Sequence, residues 1–402
     1  MRRTLLLAVL ILAIAEIWWV STRPEPSPGP LVVALAPARP EPQVDTATLA
    51  STRQAESPSR PDPSRFSLND GFCDPAEEAD QGLQLTITAS ATRIPGVRPA
   101  LDEARRARHL GDTRAEREAL AKAHRLAPTD HGIARAYAMN AMHASQVGLA
   151  LQALDDAYGG HDRDPHVERL RARLRVQLEI QRDFDRLERH GLTLSYPRDA
   201  LDVRAAGAHL DAVDLAMDEA DALTGTPRLP ELSIVIYRDR SELLAVGCAP
   251  SWSGAVFDGT LRLQLGAGKL DEAQLRHETL HAVLRDLHGR PRWFHEGLAQ
   301  WFEAHGKLRW SKRYQAMLES RTYVPFRSLE DSFFVFTEDE DAALAYDQSR
   351  AMIAVLVEKR GERGISEAVS LLRDPHPPVS LTERLGLTEA ELLGLLERAQ
   401  PR

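Results

Sequence analysis

The chain has 402 residues, 43% of them hydrophobic, which is enough for more than one domain with a core of its own. Its 50 Lys and Arg stand against 59 Asp and Glu, a formal charge of -9, so no global positive field recommends a nucleic-acid backbone as partner. Two cysteines in this length exclude a small disulfide-stapled scaffold.

The N-terminus, MRRTLLLAVLILAIAEIWWV, sets Arg2 and Arg3 before an apolar run that ends at Val20. As a helix this run nearly crosses a thin hydrocarbon layer, with the arginines on the cytoplasmic side and Trp18 and Trp19 at the opposite interface. Residues 1–21 are therefore expected to be a signal anchor; a signal peptide cleaved near Ala13-Ile14-Ala15 and a buried helix are the alternatives. The anchor makes the membrane a partner and places the chain in the cell inner membrane, single-pass, with a periplasmic or extracellular catalytic domain. Cleavage instead secretes it to the periplasm.

Residues 22–64 include PEPSPGP and ESPSRPDPSR, whose prolines remove backbone donors, and are expected as a Pro-rich disordered spacer. Residues 65–97 form a short connecting region with a strand expected in LQLTITASAT. Export permits a disulfide between Cys73 and Cys248; two unrelated buried thiols are the alternative.

From 98 to 192 the pattern becomes helical. Ala119, Leu120, Ala123 and Leu126 form one apolar side, Pro128-Thr129-Asp130 makes a stop and turn, and HVERLRARLRVQLEIQRDFDRLERHG continues as an amphipathic stretch. ALAKAHRLAPTD resembles the end of a tetratricopeptide repeat, so this part is expected to be an all-α repeat-like (TPR-like) domain able to hold a protein partner, against a generic helical bundle.

Beyond Ser195, LDAVDLAMDEADALTG predicts a helix, ELSIVIYRD and TLRLQLGA predict strands, and SWSGAVFDG between them predicts a loop. Residues 195–400 are thus a mixed α/β domain, and the whole chain is α+β.

The strongest local signal is HETLH, residues 277–281, within LDEAQLRHETLHAVLRDLHG. On a helix His277 and His281 share a face, where two neutral imidazoles can ligate one Zn²⁺. Glu278 beside them can take a proton from water that the metal activates. The rival is an ordinary surface helix in which Leu275, Thr279, Ala282 and Val283 pack beneath solvated histidines.

PRWFHEGLAQWFE follows. Pro291 can begin a second helix, a reversal over His288-Gly289-Arg290-Pro291 can return it to the first, and Glu296 then completes a His₂Glu site, with Gly297 letting the two helices approach. His288 and His295 are the alternative third ligands. On a continuous helix, though, His288 lies about 16 Å along the axis from His277, and His295 points elsewhere than Glu296. Leu284 and Leu287 stand where the HExxHxxGxxH pattern needs Gly and His.

HETLH and WFHEGLAQWFE together resemble the gluzincin metallopeptidases, specifically peptidase MA-like domains preceded by tetratricopeptide-like helices, over about Ser195 to Leu372. The resemblance implies a zincin-like fold and zinc held by His277, His281 and Glu296. It makes Glu278 the general base, with Trp293, Gly297 and Ala299 as framework. Where thermolysin-like members carry an Asp four residues after the ligand glutamate to orient a histidine, this chain has Gln300. In the downstream AYDQSRAMIAVLVEKRGERGISEAVSLL, Tyr346 is the candidate oxyanion donor, with simple packing as its alternative. Arg262 and Arg350 are weaker candidates for meeting a substrate carboxylate.

The function these residues imply is zinc-dependent hydrolysis of a peptide or protein substrate outside the cytoplasm. The alternative is a catalytically inactive TPR-like protein-binding scaffold with a structural zincin domain. Cleavage within the membrane is excluded, because the charged HETLH segment follows no long apolar span.

Overall fold

The computed structural model describes residues 91–394 except 160–164, 248–253, 267–269, 286, 288–290, 307–311, 321–322, 331–338, 374–380, 387, 389 and 391–392. The anchor, the spacer, the 83–90 part of the expected strand, both cysteines and His288 lie outside the described residues. Ala91–Arg93, which take in the last two residues of that expected strand, form a 3₁₀ turn.

Five helices open the described part of the chain: α1 (Val97–His109), α2 (Thr113–Leu126), α3 (His131–His143), α4 (Val147–Tyr158) and α5 (Pro165–Ile180). Asp112 and Asp130 cap α2 and α3 by accepting from the N–H of Ala115 and Ile133, so the Pro-Thr-Asp turn works as expected. Leu120, Ala123 and Ile133 anchor one buried cluster; Leu154 and Leu174 anchor the next. Leu126, expected on the buried side of α2, is instead exposed.

The helical stretch is shorter than expected. It stops at Ile180, and FDRLER becomes strand β1 (Phe184–Arg189), paired antiparallel with β2 (Leu192–Pro197). The reason is the two-residue turn His190-Gly191, with φ of 52° and 82°, which suits a tight hairpin. An edge strand with few buried residues carries no apolar alternation to betray it.

Helix α6 (Val203–Thr224), β3 (Leu232–Tyr237), α7 (Arg240–Val246), β4 (Ala255–Phe257) and β5 (Leu261–Gln264) follow. The sheet order is β1-β2-β3-β5-β4, with β2, β3 and β5 parallel and the two edge strands antiparallel. Strand β3 is buried along its whole length, as its LSIVIY sequence requires. Part of the segment expected as a loop, Ala255–Phe257, is the edge strand β4.

Next come α8 (Glu272–Val283), α9 (Arg292–Glu303), α10 (Lys312–Ser320), α11 (Phe326–Glu330), α12 (Asp339–Arg360), α13 (Arg363–Leu372) and α14 (Leu381–Arg384). The described chain is therefore α+β, with an extensive helical region and a small mixed sheet. Helix α8 packs against β4, β5, α6 and α9, while α9 packs against α12.

The turn between β4 and β5 is tied to the helical region. Asp258 accepts from Arg262 at 2.9 Å and from Arg173 of α5 at 2.6 Å, and Arg262 also donates to the Tyr237 hydroxyl at 2.7 Å. Arg262 is 0% exposed. Its charge is committed inside the fold, which removes it from the candidates for substrate binding.

The membrane expectations require correction. Among the described residues no helix is long and apolar enough to cross a membrane. The 22-residue helices α6 and α12 have the length, but both carry several Asp, Glu and Arg residues. The transmembrane assignment, the membrane as partner and the single-pass inner-membrane placement are corrected accordingly: no helix of the described residues supplies a span for them. The expectation of a protein partner held by the helices likewise gains no support.

Candidate metal centre

Helix α8 begins at Asp271, whose side chain accepts from the N–H of Ala273. Leu275, Thr279, Ala282 and Val283 are all buried beneath it, as the helical spacing predicts. Arg276 locks the helix from the side: it donates to the Phe302 carbonyl, lies 4.2 Å over the Phe302 ring and pairs with Glu219 of α6. His277 and His281, one turn apart, share another flank of α8.

Helix α9 starts directly after Pro291. Trp293, Phe294, Leu298 and Ala299 are each no more than 1% exposed, so the helix is held by its apolar face. That seating turns Glu296, itself 1% exposed, toward α8. His277, His281 and Glu296 come together as a group able to hold a metal ion.

The distances within the group are specific. His277 Nε2 and His281 Nε2 are 3.1 Å apart, and Glu296 Oε2 lies 3.4 Å from each. Ligand atoms about 2.05 Å from a tetrahedral zinc are separated by about 3.3 Å. Glu296 Oε2 is buried and accepts no hydrogen bond, which a carboxylate oxygen in a protein interior tolerates only beside positive charge. The donor set therefore fits a divalent cation. His295, on the same helix, is outside the group.

Two outer residues hold these ligands, and sequence reasoning missed both. Arg292 Nη2 lies 2.7 Å from Glu296 Oε1, which leaves Oε2 as the oxygen facing the histidines. Glu303 Oε2 lies 2.8 Å from His277 Nδ1. Gln300, four residues after Glu296, has a buried Oε1 that accepts no hydrogen bond.

The electrostatics follow the geometry. Burial lowers the His277 pKa, but the Glu296 carboxylate 3.4 Å from its ring, the hydrogen bond to Glu303 and the charge of Glu278 outweigh it and push the pKa up to about 10. Burial raises the Glu296 pKa, yet the guanidinium of Arg292 and the two histidines hold its carboxyl well below the usual range. Both directions belong to one arrangement, an ionised Glu296 carboxylate set against positive charge.

Glu278 is half-buried and lies within electrostatic reach of His277, Arg292 and Tyr346. Tyr346 is brought to the site by α12, where its phenol meets Glu296; burial first, then the Glu296 charge, keep its pKa well above the ordinary value. Gly297 makes this possible, though against α12 and not, as expected, against the preceding helix. A Cβ at Gly297 would lie 2.3 Å from the Ser349 carbonyl oxygen. Arg350 faces Asp347 at 3.4 Å.

No family model matches this chain, and no curated protein matches it. The fold and site together define an α+β protein with a His/His/Glu cluster that could bind a metal ion.

Proposed function

We propose that the chain is a zinc-dependent metallopeptidase that hydrolyses peptide bonds, with residues 195–400 as a zincin-like catalytic domain and 98–192 as a helical scaffold before it. The observation that carries the reading is the triangle of His277 Nε2, His281 Nε2 and Glu296 Oε2, with sides of 3.1, 3.4 and 3.4 Å. His277, His281 and Glu296 would hold the ion. Zinc bound there supplies a Lewis acid that lowers the pKa of water and polarises a carbonyl.

The chain's own residues do the rest. Glu278 follows the first ligand on α8 without joining the ligand group, which suits a base that takes the proton from the attacking water and returns it to the leaving amine. Tyr346 keeps its proton because burial and Glu296 disfavour the phenolate, so it stays an O–H donor at neutral pH and can donate to the developing oxyanion. The apolar face of α9 fixes Glu296 against α8.

The test is to measure zinc content and peptide hydrolysis of the full chain beside Glu278→Gln. One zinc in each protein, with turnover lower by about 10²–10⁴ in the variant, is expected. Full turnover in Glu278→Gln, or an active wild type without metal, rejects the mechanism. Zinc binding without hydrolysis of any peptide leaves the inactive scaffold instead.

A further inference from the structure

We propose that Glu303 is the positioning residue that sets His277 for a divalent cation, a task that Gln300 does not perform. The inference rests on the metal reading above. Its basis is the 2.8 Å contact between Glu303 Oε2 and His277 Nδ1, made from the same helix that supplies Glu296.

Helix geometry explains why this residue serves. At about 100° per residue, position 303 falls about 20° to one side of Glu296 after two turns, and position 292 about 40° to that same side one turn earlier. Gln300 falls about 40° to the other side. One flank of α9 thus presents Arg292, Glu296 and Glu303 as a stripe, cation, ligand and anion in order. Arg292 holds the ligand glutamate, while Glu303 reaches past it to the histidine on α8.

The contact also selects the ring nitrogen. An ionised carboxylate only accepts, so Nδ1 must carry the hydrogen, and the ring is turned with Nε2 toward His281 and Glu296. Losing such an outer partner typically weakens metal binding 10- to 100-fold. Glu303 is 28% exposed at its side chain, so shortening it opens no sizeable hole in the core.

The full chain is compared with Glu303→Ala and Glu303→Gln, reading zinc affinity by competition with a chelating dye and the His277 Nδ1–H by imidazole nitrogen NMR. Glu303→Ala should weaken zinc binding about 10- to 100-fold and shift the Nδ1–H signal. Glu303→Gln, whose amide oxygen still accepts, should recover most of the affinity. A merely structural role predicts instead that the metal-free melting temperature falls in both variants and that zinc affinity does not separate them.

Wild-type affinity in Glu303→Ala, or equal loss in the two variants, overturns the proposal. A wild type that binds one zinc but cleaves no peptide ends the peptidase reading and leaves the Glu303 assignment to be decided by the same affinities. No zinc binding by the wild type overturns both.

Discussion

The backbone carbonyl of Ser349 occupies the space a side chain on Gly297 would need: a Cβ there would lie 2.3 Å from the oxygen. Helices α9 and α12 therefore touch backbone to backbone one residue after Glu296, and this brings Tyr346, three residues before Ser349, to the metal centre. Gly297→Ala must push the helices apart. The expected result is a loss of about 1–3 kcal/mol in stability from overpacking, with weaker zinc binding as Glu296 moves. Urea unfolding and zinc titration check both, and an unaltered variant would show that the approach is dispensable.

Arg292 supplies the second prediction. Glu296 is almost wholly buried, and removing its guanidinium partner leaves Oε1 without its 2.7 Å contact. Arg292→Met keeps the apolar stem but not the charge. Unfolding in the presence of a chelator should show a loss of about 1–3 kcal/mol, the cost of an unsatisfied buried group. Added zinc should recover part of it by supplying positive charge to the same carboxylate. Equal stability of variant and wild type in chelator would mean that Arg292 carries no such role.

The metal group was legible because HETLH and the later glutamate declare a fixed helical spacing, and packing of Leu275, Thr279 and Val283 turns that spacing toward one face. Glu303 and Arg292 were not legible. In the sequence a Glu at i+7 and an Arg at i−4 look like any solvated helix face until α8 is known to lie opposite. Strand β1 was hidden for a similar reason: FDRLER has the composition of a surface helix, and only the His190-Gly191 turn and pairing with Leu192–Pro197 make it a strand. Gly297 was recognised as a close-approach residue, but sequence could not say which helix approached, since Ser349 lies on an element far along the chain.

Tyr346→Phe separates chemistry from packing. Phe keeps the ring in its partly buried position against the core and removes only the hydroxyl. Loss of one oxyanion donor lowers kcat by about 10²–10³, so kcat should fall by that factor with KM and zinc content nearly unchanged. A variant with wild-type kcat would assign the tyrosine to packing.

The link between helices and sheet is sensitive to pH through His143. His143, at the end of α3, lies against the β4–β5 turn so closely that a Cβ at Gly259 would be 2.5 Å from its ring. Its Nε2 is buried without a hydrogen-bond partner. Burial lowers the His143 pKa; Asp258 opposes this, but the guanidinium groups of Arg262, Arg173 and Arg285 add to it, leaving the value at about 4. The folded pKa is thus below the ordinary 6.5, so the unfolded chain takes up the proton first as pH falls. This contribution to stability is complete above pH 6.5 and is lost progressively as pH drops toward about 4. With the residue half-buried, it amounts to about 2 kcal/mol at most. His124 and His209 are also shifted down by burial and add slope of the same sign. The comparison that isolates His143 is therefore His143→Gln against wild type, unfolded with urea in chelator between pH 7 and pH 4.5. The variant should lose less stability across that range than the wild type does. Identical slopes would show that the histidine stays solvated and that the turn is held by Asp258 and its arginines alone.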